Sequence, residues 1–159
     1  MVTASIGVAV RKAVIDQLTT YFAGLSQFNG VDAAEQEVAV RFGYDFANLP
    51  REHVYTGRSR GDTPPAGMRS GRNTRNEEGT FDLNVMVRSV AGDPYDAELR
   101  AEKIGGAVED WFADRKNNEV GVTGLLSLVV VSWEADYAQV DNGTAALRTY
   151  SIRYTSRLE

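Results

Sequence analysis

The chain has 159 residues, a formal net charge of −5, 43% hydrophobic and 25% charged residues and four prolines. That is enough apolar material for one core and too short a chain for two ordinary domains, so residues 1–159 read as a single globular domain that is neither disordered nor fibrous. The acidic balance argues against wholesale binding to nucleic acid or to an anionic membrane; cysteine is absent, and one histidine, His53, closes most routes to a histidine-based metal site.

The opening "MVTASIGVAVRKAV" lacks the basic n-region of a signal peptide, and the longest apolar run, "GLLSLVVVSW", is about half the roughly 20 residues that a membrane-spanning helix needs. A cytoplasmic protein is the default expectation. Ile6, Val10, Ala13, Val14, Leu18, Tyr21, Phe22 and Leu25 recur at spacings of three and four, which predicts an amphipathic helix with Ser5 or Thr3 as its cap and a stop at Asn29 and Gly30. "EVAVRFG" then alternates, with Val38, Val40 and Phe42 on one face, and "EHVYTG" is a weaker strand.

Between these strands and the next, "TGRSRGDTPPAGMRSGRNTRNEEGTF" (56–81) breaks the apolar pattern. From 58 to 75 it sets five arginines against one acid, Asp62, a charge of +4 that leaves the remainder of the chain at −9. The spacing predicts an extended loop or arm at 58–76. Loops that long are usually functional or disordered, and arginine, with its planar fork, suits contact with carboxylates or phosphates. A contact with a partner, a solvated loop and a direct nucleic-acid contact are the readings open at this point.

"GTFDLNVMVRSV" is the clearest strand, with Phe81, Leu83, Val85 and Val87 opposing Thr80, Asp82, Asn84, Met86 and Arg88. Asp93 and Pro94 open a second helix whose apolar face is Tyr95, Leu99, Ala107, Val108, Trp111 and Phe112, with Ile104 at its margin. Gly105 and Gly106, each costing about 1 kcal/mol in a helix interior, are expected to permit close approach to the sheet. "LLSLVVVSWEADY" and "TAALRTYSIRYTSRL" form a closing hairpin around Asp141, Asn142 and Gly143. The set predicts an α+β two-layer fold: a mainly antiparallel sheet of four to five strands with two amphipathic helices on one face.

Catalytic signatures are missing, with no G-x-S-x-G, H-E-x-x-H, P-loop or G-x-G-x-x-G. His53 reads as structural or surface. Glu77, Glu78 and Asp82 could meet a hard cation, but the plainer reading is pairing with the arginines or facing water. The acids of the second helix, interleaved with Arg100 and Lys103, read as a solvated face, and the Arg60-Gly61-Asp62 tripeptide as a loop tip. No catalytic, cofactor-binding or metal-ligating residue is assigned and no cofactor is expected; Arg58, Arg60, Arg69, Arg72 and Arg75 are the candidate assembly contacts.

In its helix "VRKAVIDQLTTYF", strand "VAVRFGYDF", charged entry "TRNEEGTFDLNVMVRSV", helix "GDPYDAELRAEKIGGAVEDWF" and closing hairpin, the chain resembles the tail terminator (minor tail or tail-completion) proteins of long-tailed bacteriophages over nearly its whole length. The resemblance implies a virion protein, not an enzyme, that is assembled in the host cytoplasm into a hexameric ring at the head-proximal end of the tail tube. Its implied partners are its own copies, the tail tube protein and the head-tail connector proteins. No membrane is implied, and DNA only as it passes through the lumen. The arginine segment matches no family motif. The alternatives are a head-tail connector or neck protein, a nucleic-acid-binding module using the arginine segment, and an unrecognised hydrolase.

Overall fold

The computed structural model describes residues 5–30, 37–62, 65–69, 72–89, 93–114, 120–140 and 143–158, with the backbone alone at 65–69, 72–75, 89, 138–140 and 158. Helix α1 is Gly7–Ala23, followed by strands β1 (Ala39–Arg41), β2 (Glu52–Asp62), β3 (Pro65–Arg69) and β4 (Arg72–Ser89), helix α2 (Pro94–Ala113), and strands β5 (Leu125–Val140) and β6 (Gly143–Leu158). The sheet order is β1-β2-β4-β6-β5, and β3 pairs with β4 beside β2. Among the described residues only β1 and β2 run parallel, and the other strand pairings are antiparallel. The α+β, two-layer expectation holds.

Both helices lie on one face of the sheet because that is where the strands direct their apolar residues. Phe81, Leu83 and Val85 of β4 and Tyr150, Ile152 and Tyr154 of β6 are buried against Val10, Val14, Leu18 and Phe22 of α1 and Ile104, Val108, Trp111 and Phe112 of α2. Ser5, one of the two expected caps, accepts a hydrogen bond from the Gly7 N–H (3.1 Å), and Asp93 accepts from the Tyr95 N–H (3.0 Å).

The structure corrects several local expectations. Along α2 the buried face is Ala97, Ala101, Ile104, Val108, Trp111 and Phe112, and Tyr95 and Leu99 are exposed, because small side chains let the helix start lie close to the sheet. Arg100 is not on a solvated face: its Nε and Nη2 donate to the buried Glu52 carboxylate at 3.0–3.2 Å, and Nη2 also donates to the Gln27 carbonyl (2.9 Å). Phe42, beyond the end of β1, is exposed under the Arg11 guanidinium, 5.2 Å from the ring centroid.

The two glycines of α2 behave differently. A Cβ on Gly105 would stand 2.1 Å from the Tyr150 hydroxyl, so this glycine admits the close approach, whereas a Cβ on Gly106 meets nothing within 4 Å. Gly106 faces a cleft of about 590 Å³ between the end of α1 and α2, lined also by Tyr21, Leu25, Phe28, Arg100 and Lys103.

The largest correction concerns the arginine segment. Where the spacing predicts a loop at 58–76, the backbone continues as strand through the end of β2, all of β3 and the start of β4, with residues 63, 64, 70 and 71 outside the described residues. Hydrophobic alternation reports a strand with one buried face and is silent where both faces are polar, while backbone pairing needs no apolar side chain. Pro65, which lacks an N–H, is tolerated as the first residue of its strand.

Candidate assembly surface

β2 and β3 run along the same side of β4, so together they make a long antiparallel ribbon with Arg69 opposite Arg72 at its outer end. β6 accompanies β4 only to the pair Arg75–Leu158, and β5 accompanies β6 only to Leu125–Ser156. The sheet thus narrows stepwise, and the ribbon is its narrow end.

All five candidate arginines fall on this ribbon. A bulge between Thr56 and Ser59 sets Gly57 and Arg58 against the single residue Asp82 and reverses which residues of β2 face the helices. Arg58 and Arg60 are exposed and have no ion-pair partner among the described residues. Arg60 stands opposite Thr80, and Arg75 lies between Pro65 and Leu158. For Arg69, Arg72 and Arg75 only these register positions are described. Two arginines at directly opposed positions are an arrangement that acidic surface from outside would relieve. The Arg60-Gly61-Asp62 tripeptide is paired strand, opposite Glu78 to Thr80, and not a loop tip.

The base of the ribbon is fixed by a buried carboxylate. Glu77 neither pairs with an arginine nor faces water: its Oε1 accepts hydrogen bonds from the Ser5 and Tyr154 hydroxyls, both at 2.7 Å. Burial, and then the neighbouring carboxylate, push the Tyr154 phenol up to about 12, so it stays protonated as the donor. Gly79 makes this contact possible, since a Cβ there would lie 2.2 Å from the Tyr154 ring. Of the other candidate acids, Glu78 is exposed and Asp82 partly so, and among the described residues no group of three His, Cys, Asp or Glu could hold a metal ion.

His53 is a core residue of the other sheet face, under the segment that carries Tyr44. Its ring lies 5.5 Å from Tyr44 and 4.6 Å from Tyr55, neither nitrogen has a hydrogen-bond partner among the described residues, and burial lowers its pKa to about 4. Glu52, its neighbour in sequence, points to the helix side, so the two do not form an acid–base pair.

One surface was not foreseen from sequence. β5 is the edge strand, and Leu126, Val129, Val131, Trp133 and Tyr137 are exposed along it, with the Arg148 guanidinium 3.9 Å from the Trp133 ring centroid. The signal was present: the apolar pattern of β5 runs on through Trp133 and Tyr137 for more residues than two short helices can cover. No helix among the described residues is long and apolar enough to cross a membrane.

No protein-family model matches the chain, and no curated protein matches it in sequence. Its fold does match a solved structure: the chain is similar to a chain of the "Virion of native gene transfer agent (GTA) particle", at 16% sequence identity and a TM-score of 0.56, over 98% of this chain and 99% of that one. At that identity the likeness establishes a common fold across essentially the whole length of both chains.

Proposed function

We propose that this chain is a virion structural protein, and within that class a tail terminator that forms a ring at the head-proximal end of the tail tube, stops tube polymerisation and joins the tail to the head connector. The observation that carries the reading is the end-to-end match of fold to a chain of a virion particle. The finer role is supported by the family resemblance in the sequence and by a subunit whose distinctive features are surfaces: a basic ribbon and an apolar sheet edge. In this reading its work is assembly and not catalysis, and the ribbon is an arm that reaches a neighbouring subunit or the adjoining tail component. A +4 segment on a −9 body is electrically suited to dock on acidic surface, including that of an identical copy.

The test mixes the purified chain with its tail tube protein and examines the product by native mass measurement and electron microscopy. The expected result is a hexameric ring capping one end of each tube. Monomers or twofold dimers in the intact particle would refute the ring. Replacing Arg58, Arg60, Arg69, Arg72 and Arg75 together by serine is expected to preserve the folded subunit and give tubes of uncontrolled length; normal termination by that variant would make the ribbon a passive feature. The same fold match suits a head-tail connector, which would bind the head-side ring and leave tube length unchanged. A nucleic-acid role for the arginines would instead give binding that falls steeply with salt.

A further inference from the structure

We propose that the outer edge of β5 is the acceptor for the ribbon of a second copy of this chain, so that the free edge of β2 pairs with β5 and the sheet continues from subunit to subunit. This rests on the ring reading and names the surface on which the arm docks.

β5 is 16 residues long, and among the described residues no strand lies beside its outer backbone groups. Proteins normally blunt such an edge with proline, lysine, bulges or a covering element, and β5 does carry bulges, between Leu125 and Ser127 and between Val130 and Ser132. The sequence of β5, LLSLVVVSWEADYAQV, contains no proline, lysine or arginine, and it exposes five large apolar side chains. An edge left in that state is a template for another strand.

The opposite side of the sheet supplies that strand. β1 pairs only with His53, Val54 and Tyr55, so among the described residues the outer edge of β2 is open from Thr56 to Asp62, and it carries Arg58 and Arg60. The charges agree in face as well as in sign. Glu134 and Asp136 of β5 stand opposite Thr149 and Leu147 of β6, on the face away from the helices. Arg60, opposite Thr80, is on the same face. Continuing the sheet with the helices of both copies on one side therefore puts Arg60 on the face of the two acids; within one subunit its row runs through Arg153 to Val129, so a neighbour staggered along the strands sets Arg60 beside Glu134 and Asp136.

The pairing joins two different edges, so it repeats head to tail and closes into a ring when the rotation permits. Pairing β5 with β5 about a twofold axis would instead bring two acidic strands together, which is unfavourable.

The chain has no cysteine, which gives a clean background for cross-linking. Ser59→Cys would be combined in turn with Leu126→Cys, Ser132→Cys and Ala135→Cys, all at exposed positions. Rings assembled on tube ends would then be treated with a short bifunctional thiol reagent that tolerates a register offset. At least one combination is expected to give a ladder of covalent multimers that no single variant gives. Rings that form but yield no ladder with any of the three overturn the acceptor assignment and leave the ring reading standing, whereas failure of the unmodified chain to form rings on tube ends sinks the ring reading itself. Dimers from a single β5 cysteine variant would show β5–β5 pairing and also overturn the proposal. In a second arm, Arg58→Glu with Arg60→Glu is expected to lower ring yield about tenfold or more, and adding Glu134→Lys with Asp136→Lys to restore it. Loss without restoration overturns the proposal.

Discussion

β5 and β6 are the two arms of one hairpin, each 16 residues long and paired with each other from Val140–Gly143 to Leu125–Ser156, yet they live in different surroundings. Tyr150 of β6 is 0% exposed; Trp133, directly across from it on β5, is 52% exposed. Among the described residues β6 has a strand on both sides and a helix above it, whereas β5 has a strand on one side and large apolar side chains left exposed. For these two residues burial is therefore decided by what covers the position and not by the apolar pattern of the strand, and an apolar side chain in an uncovered position is available for another molecule.

The comparison breaks most readily in the core. Ile152→Ala on β6 is expected to cost about 2–5 kcal/mol, while Val131→Ala on β5 stays within about 0.5 kcal/mol, both measured by chemical denaturation of the free subunit. Equal losses would mean that β5 is covered in solution by its own chain.

The opposite sheet face gives the next effect, on the order of 3 kcal/mol across the titration. His53 is held neutral, with a pKa lowered from 6.5 to about 4 by burial. The unfolded chain takes up its proton first as pH falls, so stability is fully present above about 6.5 and is lost as pH falls toward about 4. His53→Phe, measured between those limits by thermal unfolding, should flatten that slope.

The glycines of α2 sharpen the contrast between covered and uncovered sites. Gly105→Ala forces a methyl into the Tyr150 hydroxyl and is expected to destabilise by about 1–3 kcal/mol. Gly106→Ala meets nothing and should stabilise by about 0.4–1 kcal/mol through the unfolded chain. Thermal unfolding of the two single variants should move in opposite directions.

Where a segment has one wet and one dry face, its sequence was legible. Helix α1, the Asp93–Pro94 start of α2, the alternation of β4 and the closing hairpin were all readable from period and cap residues, and they suffice for the two-layer architecture. The ribbon was not, because its sequence shows no regular alternation of apolar and polar residues and period carries no information there. Residue type alone could not tell that Arg100 reaches a buried Glu52 from 48 positions away, or that Glu77 is sealed beneath Ser5 and Tyr154, since both pairings are made by the folded sheet. The candidate arginines were legible as a group by charge and the exposed apolar edge of β5 was not, because exposure of an apolar strand depends on what fails to cover it.

The Glu77 cluster also bears on the order of folding. One carboxylate oxygen joins Ser5, 72 residues before it, to Tyr154, 77 residues after it, so the first helix, the middle strand and the last strand meet at a single atom. Contacts that distant in sequence form only after large loops have closed, and they make folding slow. During synthesis, α1 and the ribbon are made long before β6, so the base of the arm is locked only when the final strand inserts between β4 and β5. A chain stalled before Tyr154 would carry the arginine ribbon without its anchor, and the base of the ribbon is thereby set in place by one of the last steps of the subunit's own folding.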